Sequence, residues 1–130
     1  MGIDIESESI SDGAYEAVKK SLTHHENICI SSLPIKEPLA LLIAWTAKEA
    51  LSKAIKCGLL VPIQIFEIKE LFYSDGLYHS TFVNFSQYKT LSFRYRKMII
   101  SIAIPEKSEV DLKGVLSSEN DFIDCQLLKK

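Results

Sequence analysis

EPLALLIAWTAKEALSKAIKCG, residues 37–58, is the stretch from which the fold is read. Pro38 suits the first position of a helix, where its missing N–H would have no partner anyway. Gly58 suits the residue just past the end, where a left-handed backbone closes the last turn. Alanine, leucine, lysine and glutamate fill the interval, and all are good helix formers. The spacing predicts a helix of about five turns over 38–57. Its C-terminal half carries a polar stripe, Glu49, Ser52, Lys53 and Lys56, at steps of three and four residues. The same side runs back to Trp45, Leu42 and Leu41, so it is wet at one end and apolar at the other. Either the rest of the chain covers Leu41 and Trp45, or they form an exposed contact surface in which Trp is a typical hot spot.

Working outward toward the N-terminus, residues 1–12 carry Asp4, Glu6, Glu8 and Asp12 and no Lys or Arg. Ile3, Ile5 and Ile10 allow a short edge strand, and a flexible tail over 1–10 is the alternative. Ser11 or Asp12 offers an N-cap for a helix over 13–24, whose apolar face is Ala14, Ala17, Val18 and Leu22. His24 and His25 would close that helix at its negative pole. Asn27–Ser31, NICIS, reads as a short buried strand, because isoleucine and cysteine are compact and isoleucine is β-branched.

Beyond Gly58 the texture turns to β-branched and aromatic residues. Residues 63–73 alternate imperfectly and read as a strand, with a helix from Pro62 as the rival. Ser74-Asp75-Gly76 is a hairpin turn into a second strand over 77–85. Thr90–Ile104, TLSFRYRKMIISIAI, reads as one long strand whose second half is covered on both faces. A turn of helix is expected over 112–116 and a last strand over 121–128. The expected fold is α+β: a four- to five-stranded, mainly antiparallel sheet in the C-terminal two-thirds, with N-terminal helices and the long helix packed on one face. The length of 130 residues fits a single domain over 1–130.

Composition narrows the function classes. Hydrophobic residues make up 47% and charged residues 25%, as in a globular protein, and the net charge is −2. That charge argues against nucleic acid as a bulk electrostatic partner. Cys29, Cys57 and Cys125 are odd in number and far apart, which fits reduced thiols rather than a disulfide framework. The N-terminus lacks the basic and apolar regions of a signal peptide. The longest apolar run, Leu39–Trp45, is far short of the ~20 residues that span a bilayer. A cytoplasmic location without membrane contact is expected.

No motif carries chemistry at a diagnostic spacing. His24, His25, His79 and the cysteines lack the close pairs of a zinc site. Ser31, Ser32 and Cys57 stand in no nucleophile signature. The pairs Glu67/Glu70 and Glu119/Asp121 are what any charged surface supplies by chance, and the five glycines are too scattered for a phosphate loop. Neither a cofactor nor a metal is expected.

The reading that follows is a small non-enzymatic binding protein acting through a protein–protein surface: an inhibitor, immunity or chaperone-like accessory module. Its partner would be another protein, basic where the acidic segments meet it. The candidate contacts are Leu41, Trp45, Glu106, Glu109 and Asp111. One alternative is a nucleic-acid-binding accessory protein using Lys89, Arg94, Arg96 and Lys97 with Phe93 and Tyr95 between them. Alternation argues against it, because it sets the aromatics on the face opposite the arginines. A small-molecule binder or enzyme with a pocket between helix and sheet is a further alternative. Self-association stays open.

Overall fold

The computed structural model describes residues 1–56 and 61–107. Strand β1 (Gly2–Ser7) is followed by helices α1 (Asp12–Ser21), α2 (His24–Ser31) and α3 (Glu37–Ile55). A 3-10 turn (Ile63–Phe66) leads into strands β2 (Ile68–Ser74), β3 (Leu77–Phe82), β4 (Tyr88–Tyr95) and β5 (Met98–Pro105). The five strands form one antiparallel sheet in the order β1-β5-β4-β3-β2. The α+β fold is as expected, and of the two readings of the N-terminus the edge strand holds: β1 forms an edge next to β5.

Helix α3 is the long helix, with Pro38 in its first turn. It packs on β1, β5 and β4. Ala40, Ile43, Ala44, Ala47, Ala50 and Leu51 are fully buried along it. The left-handed residue that closes it is Lys56 (φ 57°), whose N–H bonds to the carbonyls of Lys53 and Ser52. Gly58, expected in that role, lies outside the described residues, as do the helical turn expected over 112–116 and the strand over 121–128.

Three local expectations are corrected. NICIS is the second half of α2, not a strand. The Thr23 hydroxyl accepts from the Glu26 N–H (3.2 Å), and the Glu26 carboxylate accepts from the Thr23 N–H (2.9 Å), which closes a capping box. That box overrides the strand preference of Ile28 and Ile30, and it makes His24 and His25 the opening of α2 rather than the end of α1. Residues 63–73 divide into the 3-10 turn and β2, so each rival reading holds part of the segment. Thr90–Ile104 is a hairpin, not one strand. Arg96 (φ 48°) and Lys97 (φ 64°) both take left-handed backbone between β4 and β5. Two successive positive φ values reverse the chain in the manner of a type I′ turn. At Ser74-Asp75-Gly76 the expected turn is present, with positive φ at Asp75 and Gly76.

Candidate functional site

Strand alternation sends Gly2, Asp4 and Glu6 toward α3 and leaves Ile3 and Ile5 exposed on the other face. Gly2 is what lets the two elements approach. A Cβ built on it would lie 2.1 Å from the carbonyl oxygen of Ala50 and 2.5 Å from the amide nitrogen of Ala54. On α3, Glu49 and Lys53 stand one helical turn apart, on the same face. The close approach therefore sets two carboxylates of β1 against a carboxylate and an ammonium of α3.

Asp4 is buried, and its Oδ1 accepts a hydrogen bond from Lys53 Nζ at 2.7 Å. Asp4 Oδ2 is buried without a hydrogen-bond partner. Burial pushes the Glu6 carboxyl above its usual range; the charge of Asp4, a hydrogen bond between the two carboxyls and then the charge of Glu49 add to that, and Lys53 opposes it. Burial also raises Glu49, with Asp4 again adding and Lys53 opposing. The Lys53 ammonium is held protonated above its ordinary range by its hydrogen bond to Asp4, against the effect of burial. The cluster thus has three acids, one base and one orphaned oxygen.

Such a donor set suits a hard divalent cation, which takes oxygen ligands and keeps sites for water and substrate phosphate. Asp4 Oδ2 would be the first ligand, with Glu6 and Glu49 beside it. Among the described residues, no three such side chains already form a metal cage. Mg²⁺ is commonly held by only one or two carboxylates plus substrate phosphates. The residues fit that manner of binding.

A cleft of about 560 Å³ opens next to this cluster, shared between α1, α3 and the chain leaving β1. Val18, Leu42 and Trp45 supply its apolar part; Ser7, Ser9 and Glu6 supply polar groups. Tyr15 donates a hydrogen bond to Glu37, which also pairs with Lys19 (3.4 Å), tying α1 to the start of α3. Arg94 reaches from β4 to grip Glu8 with both Nε and Nη2, the latter at 2.9 Å from Oε1. The Glu8 N–H bonds to the Lys97 carbonyl at 3.0 Å. The segment bordering the cleft is therefore pinned from two sides.

The sequence-derived candidates fall elsewhere. Leu41 is 2% exposed, so the chain itself covers it and it presents no contact surface. Trp45 is half-buried and lines the cleft. Glu106 is exposed just after β5, while Glu109 and Asp111 lie outside the described residues. The four cations do not form one patch. Lys89 and Arg94 sit five residues apart on β4, hence on opposite faces of the sheet, Arg94 is committed to Glu8, and Arg96 and Lys97 make the turn.

Asp4, Glu6, Glu49 and Lys53 were all visible as residues. The signal was the alternation of acids with Ile3 and Ile5, together with the Glu49–Lys53 step of four. What spacing could not show is the contact between β1 and α3, which joins positions more than 40 residues apart.

The acidic, lysine-bearing cluster and the mixed polar and apolar cleft sit side by side on one α+β domain. A family model described as the 4′-phosphopantetheinyl transferase superfamily (ACPS) matches residues 1–103. The chain belongs to that superfamily. No match is found among curated proteins. Membership in a transferase family overturns the expectation of a non-enzymatic inhibitor, immunity or accessory protein. No helix among the described residues is long and apolar enough to cross a membrane.

Proposed function

We propose that the protein transfers a 4′-phosphopantetheinyl group from a nucleotide-linked donor to an acceptor hydroxyl. The observation that carries this is the orphaned Asp4 Oδ2 beside Glu6, Glu49 and Lys53, within the span that matches the superfamily. Coenzyme A is the donor of matching chemistry: its phosphopantetheinyl arm is joined to a nucleotide through a phosphoanhydride. The acceptor oxygen bonds to phosphorus, the phosphorus–oxygen bond to the nucleotide phosphate breaks, and the hydroxyl proton leaves to a base.

Each residue has a role that follows from its place. Asp4 and Glu49 would hold Mg²⁺, which when bound supplies charge neutralisation on the phosphate oxygens. Lys53, held protonated, offers its ammonium to the donor phosphate. Glu6, whose proton affinity is raised by burial and then by the Asp4 charge, is the carboxylate suited to take the acceptor's proton. The neighbouring cleft combines serine hydroxyls with apolar carbon, and a pantetheinyl arm presents amides and a dimethyl-substituted carbon. Cleft and arm agree in character and in scale.

Calorimetric titration with coenzyme A, with and without Mg²⁺, tests the reading. Binding that needs Mg²⁺ and is lost in Asp4→Asn is expected. Incubation with acceptor proteins should then add one phosphopantetheinyl mass to an acceptor serine. Coenzyme A binding that ignores both Mg²⁺ and Asp4 would sink the proposal.

A further inference from the structure

Lys48, the residue before Glu49, points away from the cluster into the interior. Its ammonium is 0% exposed and lies 2.7 Å from Glu26 Oε1 and 2.6 Å from Oε2. Glu26 is 1% exposed, and its remaining capacity is filled by backbone: Oε1 accepts from the Thr23 N–H and Oε2 from the Ile68 N–H, both at 2.9 Å. One ion pair thus joins α2, α3 and the first residue of β2.

Stability alone does not explain this pair. Replacing a buried ion pair by well-packed apolar side chains is often neutral or stabilising. A directional role does explain it. Where α3 meets Gly2 of β1 it is built on Ala50 and Ala54. Leu41, Ile43 and Leu51 lock other faces of the helix by shape, while the face toward β1 offers few knobs and leaves its fine rotation to directional contacts. Adjacent residues on a helix point about 100° apart. Whatever fixes the direction of Lys48 therefore fixes the direction of Glu49.

We propose that the Glu26–Lys48 pair is a positioning device that sets the rotation of α3, and with it the aim of Glu49 and Lys53 at Asp4 and Glu6. The inference rests on the transferase reading, because it assigns to Glu49 a cation-binding role. Glu26 and Lys48 do not touch the site. They act through the helix, in the way that outer partners of metal ligands orient those ligands.

The test uses direct Mn²⁺ binding by calorimetry on the full chain, with melting temperature measured alongside. The double variant Glu26→Gln/Lys48→Met keeps an acceptor oxygen for the backbone N–H groups of Thr23 and Ile68 and leaves no unpaired buried ammonium; it is expected to fold with a modestly lower melting temperature and to bind Mn²⁺ about tenfold more weakly. Lys48→Met alone leaves the Glu26 carboxylate bound to both backbone N–H groups and serves if the double variant does not fold; it should also weaken Mn²⁺. Native affinity in a folded variant overturns the positioning role while leaving the transferase reading intact. Failure of the native chain to bind Mn²⁺, or binding indifferent to Asp4→Asn, overturns both. A purely structural pair would change melting temperature and leave Mn²⁺ affinity unmoved.

Discussion

Gly2 lies so close to Ala50 that a methyl group on it would stand 2.1 Å from the Ala50 carbonyl oxygen. Backbone cannot yield as a flexible side chain does, so Gly2→Ala must push β1 away from α3. Overpacking of this kind typically costs about 1–3 kcal/mol. The same movement separates Asp4 and Glu6 from Glu49 and Lys53. The expected result is a lower denaturation midpoint together with a loss of Mg²⁺-dependent coenzyme A binding. Ile3→Ala, one residue along on the exposed face, should leave both unchanged.

Glu49 should trade stability for function. Its carboxyl is raised from 4.5 by burial and by the charge of Asp4, so the folded state holds that proton more tightly than the unfolded state. A raised carboxyl lowers stability at pH values above its folded pKa, and that loss fades as pH falls toward 4.5. Glu49→Gln is therefore expected to raise the melting temperature at neutral pH, with the gain shrinking in acid. Transfer activity should fall by about 100-fold or more, the scale for removing a group that stabilises transition-state charge. Melting curves at pH 7.5 and pH 4 with a single-turnover assay check both halves.

The class of fold was legible because hydrophobic periodicity is local: α3 runs over Glu37–Ile55, close to the 38–57 expected from Pro38 and the alanine-leucine pattern. The capping box of α2 is present in the sequence as Thr23-x-x-Glu26, a signature masked by the β-preference of Ile28 and Ile30. The site was less legible. Asp4 and Glu6 read as acids of an edge strand or a tail, and Glu49 and Lys53 as the wet stripe of a surface helix. Only the Gly2–Ala50 contact turns those two stripes toward each other, and a missing side chain leaves no periodic trace. The β4–β5 hairpin was hidden for another reason: its turn uses Arg96 and Lys97 where a glycine or asparagine would announce it.

That turn makes its own prediction. Lys97 adopts φ 64°, a region that costs a residue with a Cβ roughly 1–2 kcal/mol. Its carbonyl accepts from Glu8 through backbone alone, so the bond survives loss of the side chain. Lys97→Gly should stabilise the protein by about 1 kcal/mol, the larger flexibility of glycine in the unfolded chain offsetting part of the relief. Urea denaturation would show a higher midpoint with unchanged slope. A lower midpoint would mean that the lysine side chain contributes more than its backbone strain costs.

Cys29 and His25 make a pair that looks reactive and should not be. The thiol lies 3.6 Å from His25 Nε2, one helical turn back on α2. That same Nε2 is 2.6 Å from the carbonyl oxygen of Lys69. A carbonyl cannot donate, so Nε2 carries the hydrogen and has no lone pair with which to take the thiol proton. Burial and then the Glu26 charge raise the Cys29 thiol above 9.0. The thiolate is the reactive form, so alkylation at pH 7.5 should be slower at Cys29 in the native protein than in the urea-unfolded chain. The rate should climb with pH to a midpoint above 9.0. His25→Ala should not slow the reaction. Peptide mapping after timed iodoacetamide treatment separates Cys29 from Cys57 and Cys125, and a fast, His25-dependent reaction at neutral pH would refute the assignment of that proton.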